Sequence, residues 1–480
     1  MPDRLSALDA SLLYVEEATT PMHIGWVAIF RRPRSGFGYD ELVDLIEERI
    51  ALVPRYRQKV RSVPGHLARP VWTDDQNFDV THHVRLSALP KPGTEEQLAM
   101  LVGRLMSRPL DPNRPRWELY LVEGLQRNRF ALITKTHYAM VEGTGAMEIG
   151  QVILDPTPHS EPEEPALWMP APEPNNVQLV ADAVAEVVRR PGELVDNIRA
   201  AVDDLASTGR KAVHMLAGVA SVVTSAARPA PAGPLNVRSR GERRFAMARA
   251  RLIDLKKIRI AYGSTVNDVV LAVVAGALRS WLLSRGEAVT TQTSIRAMAP
   301  VSVGDGPTAG EPPSGDGVGG DTSGDAIDGS KVTAYLLDLP VGEPNPVVRL
   351  HQVSHAMRAH SDSGRSVAAK TLVRLGGFAP PTLHALGARA ANAFSQRFFN
   401  IVVQNVPGPQ VPLYAGGARM VEMFPVVPLA RNQAVAIGVT SYHGGVYFGL
   451  DADRDAMPDV DILAKMVEES VDELLDTVAD

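Results

Sequence analysis

An α/β protein in two parts is what this sequence predicts, and three observations carry the prediction. The chain has 480 residues, too many for one ordinary hydrophobic core. β-Branched and aromatic runs are interspersed with helical periodicities in both halves. Between the halves, the Pro- and Glu-rich residues 156–174 and the Pro-rich residues 228–234 bracket a stretch of helical period, so a helical connector separates them. The expected divisions are residues 1–160, 161–236 and 237–480.

Taken in order, residues 5–30 begin with a short helical pattern and end in a β-like run, 23–30. Residues 39–51 form a charged amphipathic helix, 70–78 an extended piece with Trp72, and 95–107 a helix with Leu98, Leu101, Val102 and Leu105 on its apolar face. Residues 117–122 alternate like a strand, and Gly124 with the polar residues after it turns the chain into a second strand, 130–137. The connector has helical period over 177–206, broken at Pro191-Gly192, and again to about residue 227.

In the second half, 245–252 is a strand, 252–261 a short helix and 264–285 the strongest helix, with Ser264 suited to the N-cap and Gly286 stopping it. Strands follow at 296–303 and from 331. Between them, residues 304–330 are Gly-, Pro-, Ser- and Asp-rich, so a disordered surface loop is expected there. Helices are expected at 347–360, 366–375 and 381–398, then strands at 400–404, 431–441 and 445–450, and a last helix from 460. Residues 405–409, NVPGP, form a rigid turn.

Composition removes several function classes. A hydrophobic fraction of 45% with 22% charged residues describes a soluble globular chain. Net charge −6 and a pI of about 6.1 leave no dominant basic face, so no nucleic-acid partner is expected. The absence of Cys excludes disulfides, thiol catalysis and Cys-based zinc sites, and agrees with a cytoplasmic location. Residues 1–20 carry acids within their apolar run and lack a basic segment before a hydrophobic core, so a signal peptide is not expected in them. The least polar segment, 211–228, contains His214 and is shorter than the roughly 20 residues of a membrane helix, so no spanning segment is expected. The adjacent His82 and His83 lack metal-ligand spacing with acids, and no metal is expected.

The chemistry concentrates in FALITKTHYAMVEGTGAMEIG, residues 130–150. A strand that stops at His137 and runs through Tyr138 into Glu142, Gly143 and Gly145 places polar groups at the mouth of a site. HYAMVEG resembles the HHxxxDG motif of the bacterial wax ester synthase/diacylglycerol acyltransferase family, within the CoA-dependent acyltransferases. Tyr138 stands at the second His and Glu142 at the Asp, while His137 and Gly143 keep the family's residue types. The resemblance extends to LSALDASLL, PLD..RP.W, STVNDVVLA, RAMAPVSV, NVPGP and SYHGGVYFGL; Arg116, between Pro115 and Trp117, departs from the family's small or apolar residue.

The resemblance implies two similar CoA-dependent-acyltransferase-like domains, each a mixed β-sheet with helices. It implies an O-acyltransferase moving a long-chain acyl group from acyl-CoA to diacylglycerol or a long-chain alcohol, in triacylglycerol or wax ester synthesis. Acyl-CoA is then a substrate and no cofactor is required; peripheral contact with a membrane or lipid inclusion fits such substrates. The alternative is a weak or inactive relative that binds acyl-CoA or storage lipid.

In the family the second His is the general base. An imidazole suits that task because its pKa lies near neutrality, whereas a phenol with a pKa near 10 is ionised in only about one molecule per thousand at pH 7. Tyr138 can still donate a hydrogen bond to an oxyanion. Neighbouring strand residues point to opposite faces, so His137 takes over only if a bulge or shift turns it; otherwise it is a structural residue packed behind the site. Glu142 with Gly143, and Asn267 with Asp268 at the start of the strongest helix, are expected to brace the site, the last two also as helix-capping groups.

Overall fold

The computed structural model describes residues 3–141, 149–158, 168–189, 230–231, 233–303, 331–362 and 399–478. The expected loop at 304–330, the helices at 366–375 and 381–398, and the connector from 190 to 229 lie outside these, as do Glu142, Gly143 and Gly145.

Two six-stranded mixed sheets form the frame. The first takes β1 (His23–Arg31), β4 (Val84–Ala88), β5 (Trp117–Leu125) and β6 (Arg129–His137), with α1 (Ala7–Val15) and α2 (Tyr39–Arg49) beside them. A small pair, β2 (Gln58–Arg61) and β3 (Val71–Asp74), and the short helix α3 (Val80–His83) fill the connection to β4. The β5–β6 hairpin closes where Gly124, Arg127 and Asn128 adopt positive φ, a conformation that Gly and Asn tolerate best. Alternation along β1 and β6 places Phe30 and Phe130 in a stacked pair at 5.2 Å, and Phe37 stacks on Phe130 from the other side.

The first sheet has the order β11-β12-β1-β6-β5-β4, where β11 (Tyr414–Ala415) and β12 (Ala418–Val426) come from the far end of the chain. A division at residue 237 therefore does not describe sheet membership. β12 pairs antiparallel with β1 from Gly25↔Val426 to Arg31↔Arg419. It also lies on the second sheet, where Tyr442 and Tyr447 donate hydrogen bonds to the Met420 and Val421 carbonyls. Residues 418–426 thus stitch the two halves together.

The second sheet has the order β7-β14-β13-β10-β8-β9. Its members are β7 (Arg243–Arg251), β8 (Ile295–Val303), β9 (Lys331–Leu339), β10 (Ile401–Val406), β13 (Val435–Tyr442) and β14 (Gly445–Asp453). β10 runs parallel to β8 and β13 while the second sheet's other pairings are antiparallel, and β4 runs parallel to β5 in the first, so each sheet mixes both senses, as expected.

The helix between β7 and β8 at Val266–Ser284 is the strongest, and is long and apolar enough to cross a membrane. With 72% of its most apolar window buried inside the protein, it is a core helix. Residues 211–228, expected to be the least polar segment, lie outside the described ones. The core helix's N-cap is Thr265, not Ser264: the Thr265 hydroxyl accepts from the Asp268 N–H at 3.1 Å, and the Asp268 carboxylate accepts from the Thr265 N–H at 2.9 Å. Ser264 instead belongs to the end of the preceding helix, its N–H bonded to the Arg259 carbonyl beyond Gly263 at φ 59°.

Two further contacts hold the halves together. The helix α4 (Glu95–Met106) packs against β7 at Gly103, where an added Cβ would press into the Arg243 backbone. Arg249 of β7 forks onto Glu422 of β12 at 2.8 Å and reaches Glu95 of α4 at 2.7 Å. The described part of the Pro- and Glu-rich stretch is not a free tether. Arg57 lies over the Trp168 ring, the Ala171 N–H bonds to Asp74, and Arg61 pairs with Glu173 at 2.5 Å. The helix that follows, Asn176–Arg189, buries Leu179 and Ala183 against Val63 and Val71.

Candidate active site

Strand β6 ends in four consecutive fully buried polar residues, Thr134, Lys135, Thr136 and His137. Such a row persists in a core only where partners meet it. The Thr134 hydroxyl accepts from the Trp26 N–H at 3.0 Å, and β1 approaches so closely here that a Cβ on Gly25 would overlap the Thr134 carbonyl. Lys135 donates to the Arg108 carbonyl at 2.5 Å and lies 3.4 Å from Glu118.

At His137 the strand gives way to a single 3-10 turn, Tyr138–Met140. The His137 ring folds back over this turn and caps it, Nδ1 accepting from the Ala139 N–H at 3.1 Å. Nδ1 is therefore the unprotonated nitrogen, and the ring proton sits on Nε2. Nε2 faces Glu16 Oε2 at 3.4 Å, an approach longer than a well-formed hydrogen bond. Burial lowers the His137 pKa, Glu16 opposes that and Arg116 reinforces it, so the ring is neutral at pH 7.

Glu16 is the centre of this cluster. Its Oε2 takes a 2.9 Å ion pair from Arg116, and its Oε1 accepts from the Met22 N–H at 3.2 Å and lies 3.8 Å from His23 Nε2. His23 is the antiparallel partner of His137 across β1 and β6 and is 3% exposed. Burial alone would raise the Glu16 pKa; the imidazole of His137, Arg116 and His23 outweigh it and pull the value down to about 2. Because Arg116 is close and permanently charged while His137 is neutral, the guanidinium is the main anchor.

That depression has a sign. A carboxylate at about 2 in the folded chain against 4.5 unfolded contributes stability above pH 4.5 and loses it as pH falls towards 2. Glu16→Gln is expected to lower stability at pH 7 by ~1–3 kcal/mol, because Arg116 is left without its charge partner. Urea unfolding should show the deficit shrinking as pH drops from about 4.5 to about 3. A pH-independent deficit would mean that the carboxylate's charge is irrelevant to the fold.

Backbone bonds also place the turn: the His137 N–H donates to the Arg116 carbonyl and the Tyr138 N–H to the Met22 carbonyl, each at 2.9 Å. Tyr138 is half-buried where His137 is sealed. The two candidate catalytic residues thus part company: Tyr138 is the one with access at the strand end, and His137 is sealed, with Nδ1 bonded to the Ala139 N–H and Nε2 turned to Glu16. Glu142 and Gly143 lie outside the described residues. Beyond the turn, Gly150 sits against the Trp26 ring, where a side chain would overlap the indole.

The other two motifs come together in the second half. Asn405, first residue of NVPGP, donates to Asn267 at 3.1 Å. Asp268, 4% exposed, closes the helix cap and also accepts from Ser354 at 3.2 Å. Asn405 and Val406 end β10, so the expected turn at 405–409 starts only at Pro407; the stretch is tied to β13, Thr440 donating to the Val406 carbonyl at 2.8 Å and the Gly408 N–H reaching the Ser441 hydroxyl. Asn267 and Asp268 therefore brace the helix start against both the turn and the helix Pro346–Asp362 that carries Ser354.

Trp117 is a core anchor: its indole N–H donates to the Tyr56 carbonyl and its ring stacks on His83 at 4.6 Å. His83 in turn meets the Trp117 carbonyl, a structural role. Among the described residues no group of three or more His, Asp or Glu is arranged to hold a metal. Sequence reasoning missed Glu16 and His23. The one visible signal was Arg116, a cation where an apolar residue belongs, which requires a carboxylate somewhere near it.

Comparison with known proteins fits this architecture. The wax ester synthase/diacylglycerol acyltransferase catalytic domain matches residues 5–270, and the WS/DGAT C-terminal domain matches residues 328–475. A Mycobacterium tuberculosis protein named "Probable diacyglycerol O-acyltransferase tgs3" is 46% identical over 265 residues, covering 55% of this chain and 97% of that one. Another from that species, "Probable diacyglycerol O-acyltransferase tgs2", is 31% identical over 485 residues, 98% of each chain. The solved wax ester synthase/diacylglycerol acyltransferase from Marinobacter aquaeolei VT8 superposes with a TM-score of 0.66 at 27% identity, covering 98% of both chains. The starter condensation domain of rhizomide synthetase, at 15% identity and a TM-score of 0.53, shares the fold. On these matches along its whole length, the chain belongs to the wax ester synthase/diacylglycerol acyltransferase family.

Proposed function

We propose that this protein is an O-acyltransferase that moves a long-chain acyl group from acyl-CoA to diacylglycerol, a long-chain alcohol or both, and that it does so slowly. The observation that carries the reading is the match to both family segments along the chain, with Tyr138 standing at the accessible strand end. In the reaction the acceptor oxygen attacks the thioester carbonyl, its O–H bond breaks, and the C–S bond breaks to release CoA as the thiol. The ester and the thiol together hold every atom of the two substrates. Tyr138 supports this by donating a hydrogen bond to the developing oxyanion. His137 acts through the turn: its bond to the Ala139 N–H holds Tyr138 in place, and its neutral ring keeps Glu16 and Arg116 in register. Acyl-CoA is a substrate here, and no cofactor has a role in the scheme.

A second reading, a relative that binds acyl-CoA or storage lipid without turnover, is favoured by one observation. The motif's sole imidazole is sealed and committed. Purified protein given labelled oleoyl-CoA with diolein or hexadecanol separates the two. Ester formation lost in Tyr138→Ala supports transfer; retained acyl-CoA binding without ester supports the second reading and ends the first. The cytoplasmic location and peripheral contact with lipid inclusions remain part of the proposal, and fractionation of cells between cytosol and lipid inclusions tests them.

A further inference from the structure

At the outer edge of the first sheet, two strands away from β6, a cavity of about 550 Å³ opens between β4, β5 and α4. Its volume falls within the range of small-molecule sites. The floor is apolar: Leu101, Leu105 and the Tyr120 ring are each at most 8% exposed. The rim is cationic, formed by Arg85, Arg104 and Arg108. Arg85 is partly neutralised, 3.3 Å from Glu118 and bonded to the His82 carbonyl. Arg104 and Arg108 are exposed and form no ion pair among the described residues.

Behind the wall, Glu118 is already engaged by the Tyr120 hydroxyl at 2.7 Å and by Lys135 at 3.4 Å. Its single charge is shared between Arg85 and Lys135, and it forms no ion pair with Arg104 or Arg108 among the described residues; buried Lys135 lies beneath Arg108, whose carbonyl it holds. β4 pairs only with β5 among the described residues, so this wall of the cavity is the edge of the sheet. Two uncompensated guanidiniums above an apolar floor match a ligand with an anionic head and a greasy body. Guanidinium forks suit the oxygens of phosphate in particular.

We propose that this groove is a binding site for a phosphate-bearing amphiphile, distinct from the acyl-transfer corner at residues 137 and 138. The site does not depend on whether that corner turns over.

The test is titration calorimetry of the full chain with dihexanoyl phosphatidic acid below its micelle concentration, with dihexanoyl phosphatidylcholine, inorganic phosphate and CoA as comparators. The phosphatidic acid should bind, more weakly as salt rises, and the double variant Arg104→Glu/Arg108→Glu should lose at least about tenfold in affinity. Arg34→Glu, an exposed charge reversal outside the groove, should not. Should the reversed pair fold poorly by circular dichroism, the neutral pair Arg104→Gln/Arg108→Gln should repeat the loss. Equal affinity in variant and parent overturns the site. Equal binding of inorganic phosphate overturns the amphiphile assignment, equal binding of the phosphatidylcholine overturns the phosphate role, and displacement by CoA makes the groove part of the substrate path.

Discussion

Tyr138→His is expected to raise the rate of acyl transfer from oleoyl-CoA by about 10²–10⁴-fold, the usual contribution of a positioned general base. An ordinary phenol at neutral pH exists almost wholly as the acid and cannot take the acceptor's proton, whereas an imidazole is largely free base. The position can accept the change because backbone bonds hold it, Tyr138 N–H to the Met22 carbonyl and the Val141 N–H to the Tyr138 carbonyl. The new ring is smaller than the old one. His137 keeps its cap on Ala139 in the variant, so the turn should survive.

The accompanying signature is a rate that rises through an inflection near pH 6.5 as the new imidazole loses its proton. His137→Gln in the same background should lower the rate by loosening the turn without moving that inflection. A folded Tyr138→His variant with unchanged turnover would show that the corner lacks more than a base, and would favour the binding-only reading.

Much of the frame was legible because local chemistry dictates it. The β5–β6 hairpin shows as two alternating runs around Gly124 and polar residues, and the helix at 95–107 shows as a regular apolar face. The strand at 418–426 was not legible. It contains Pro425, which normally argues against a strand, yet β11 covers only Arg419 and Ala418, so Pro425 lies where the outer edge needs no N–H donor. Its partner β1 lies near the other end of the chain, and no local pattern encodes a pairing so remote in sequence.

The site divides the same way. The strand stopping at His137 and the helix-capping role of Asp268 followed from residue type and spacing. The opposition of His137 and Tyr138 followed from strand alternation, and the structure adds what actually separates them: a 3-10 turn capped by the imidazole itself. The Glu16, Arg116, His23 and His137 cluster joins three separate segments, so only the folded chain brings it together. A cation at the half-buried position 116 is tolerable because Glu16 lies 2.9 Å from it.

Asp451→Asn is expected to stabilise the protein by ~2–4 kcal/mol above pH 7, with no effect below about pH 4. Asp451 lies within β14, 3% exposed, opposite Phe245 of β7. Burial is the first cause of its pKa rising to about 7; Arg243 opposes the rise, but its Nε is 3.9 Å away and its other nitrogens serve Ser239 and the Thr19 carbonyl. A carboxyl that binds its proton more tightly folded than unfolded favours the folded chain at low pH and penalises it as pH rises from 3.8 through 7. The amide has the same shape and never ionises, so it removes the penalty where it exists and changes nothing where the acid is already neutral. Chemical unfolding midpoints across that pH window separate this account from its opposite: if the amide destabilises at pH 8, the ionised carboxylate is a required partner for Arg243, and the burial argument fails.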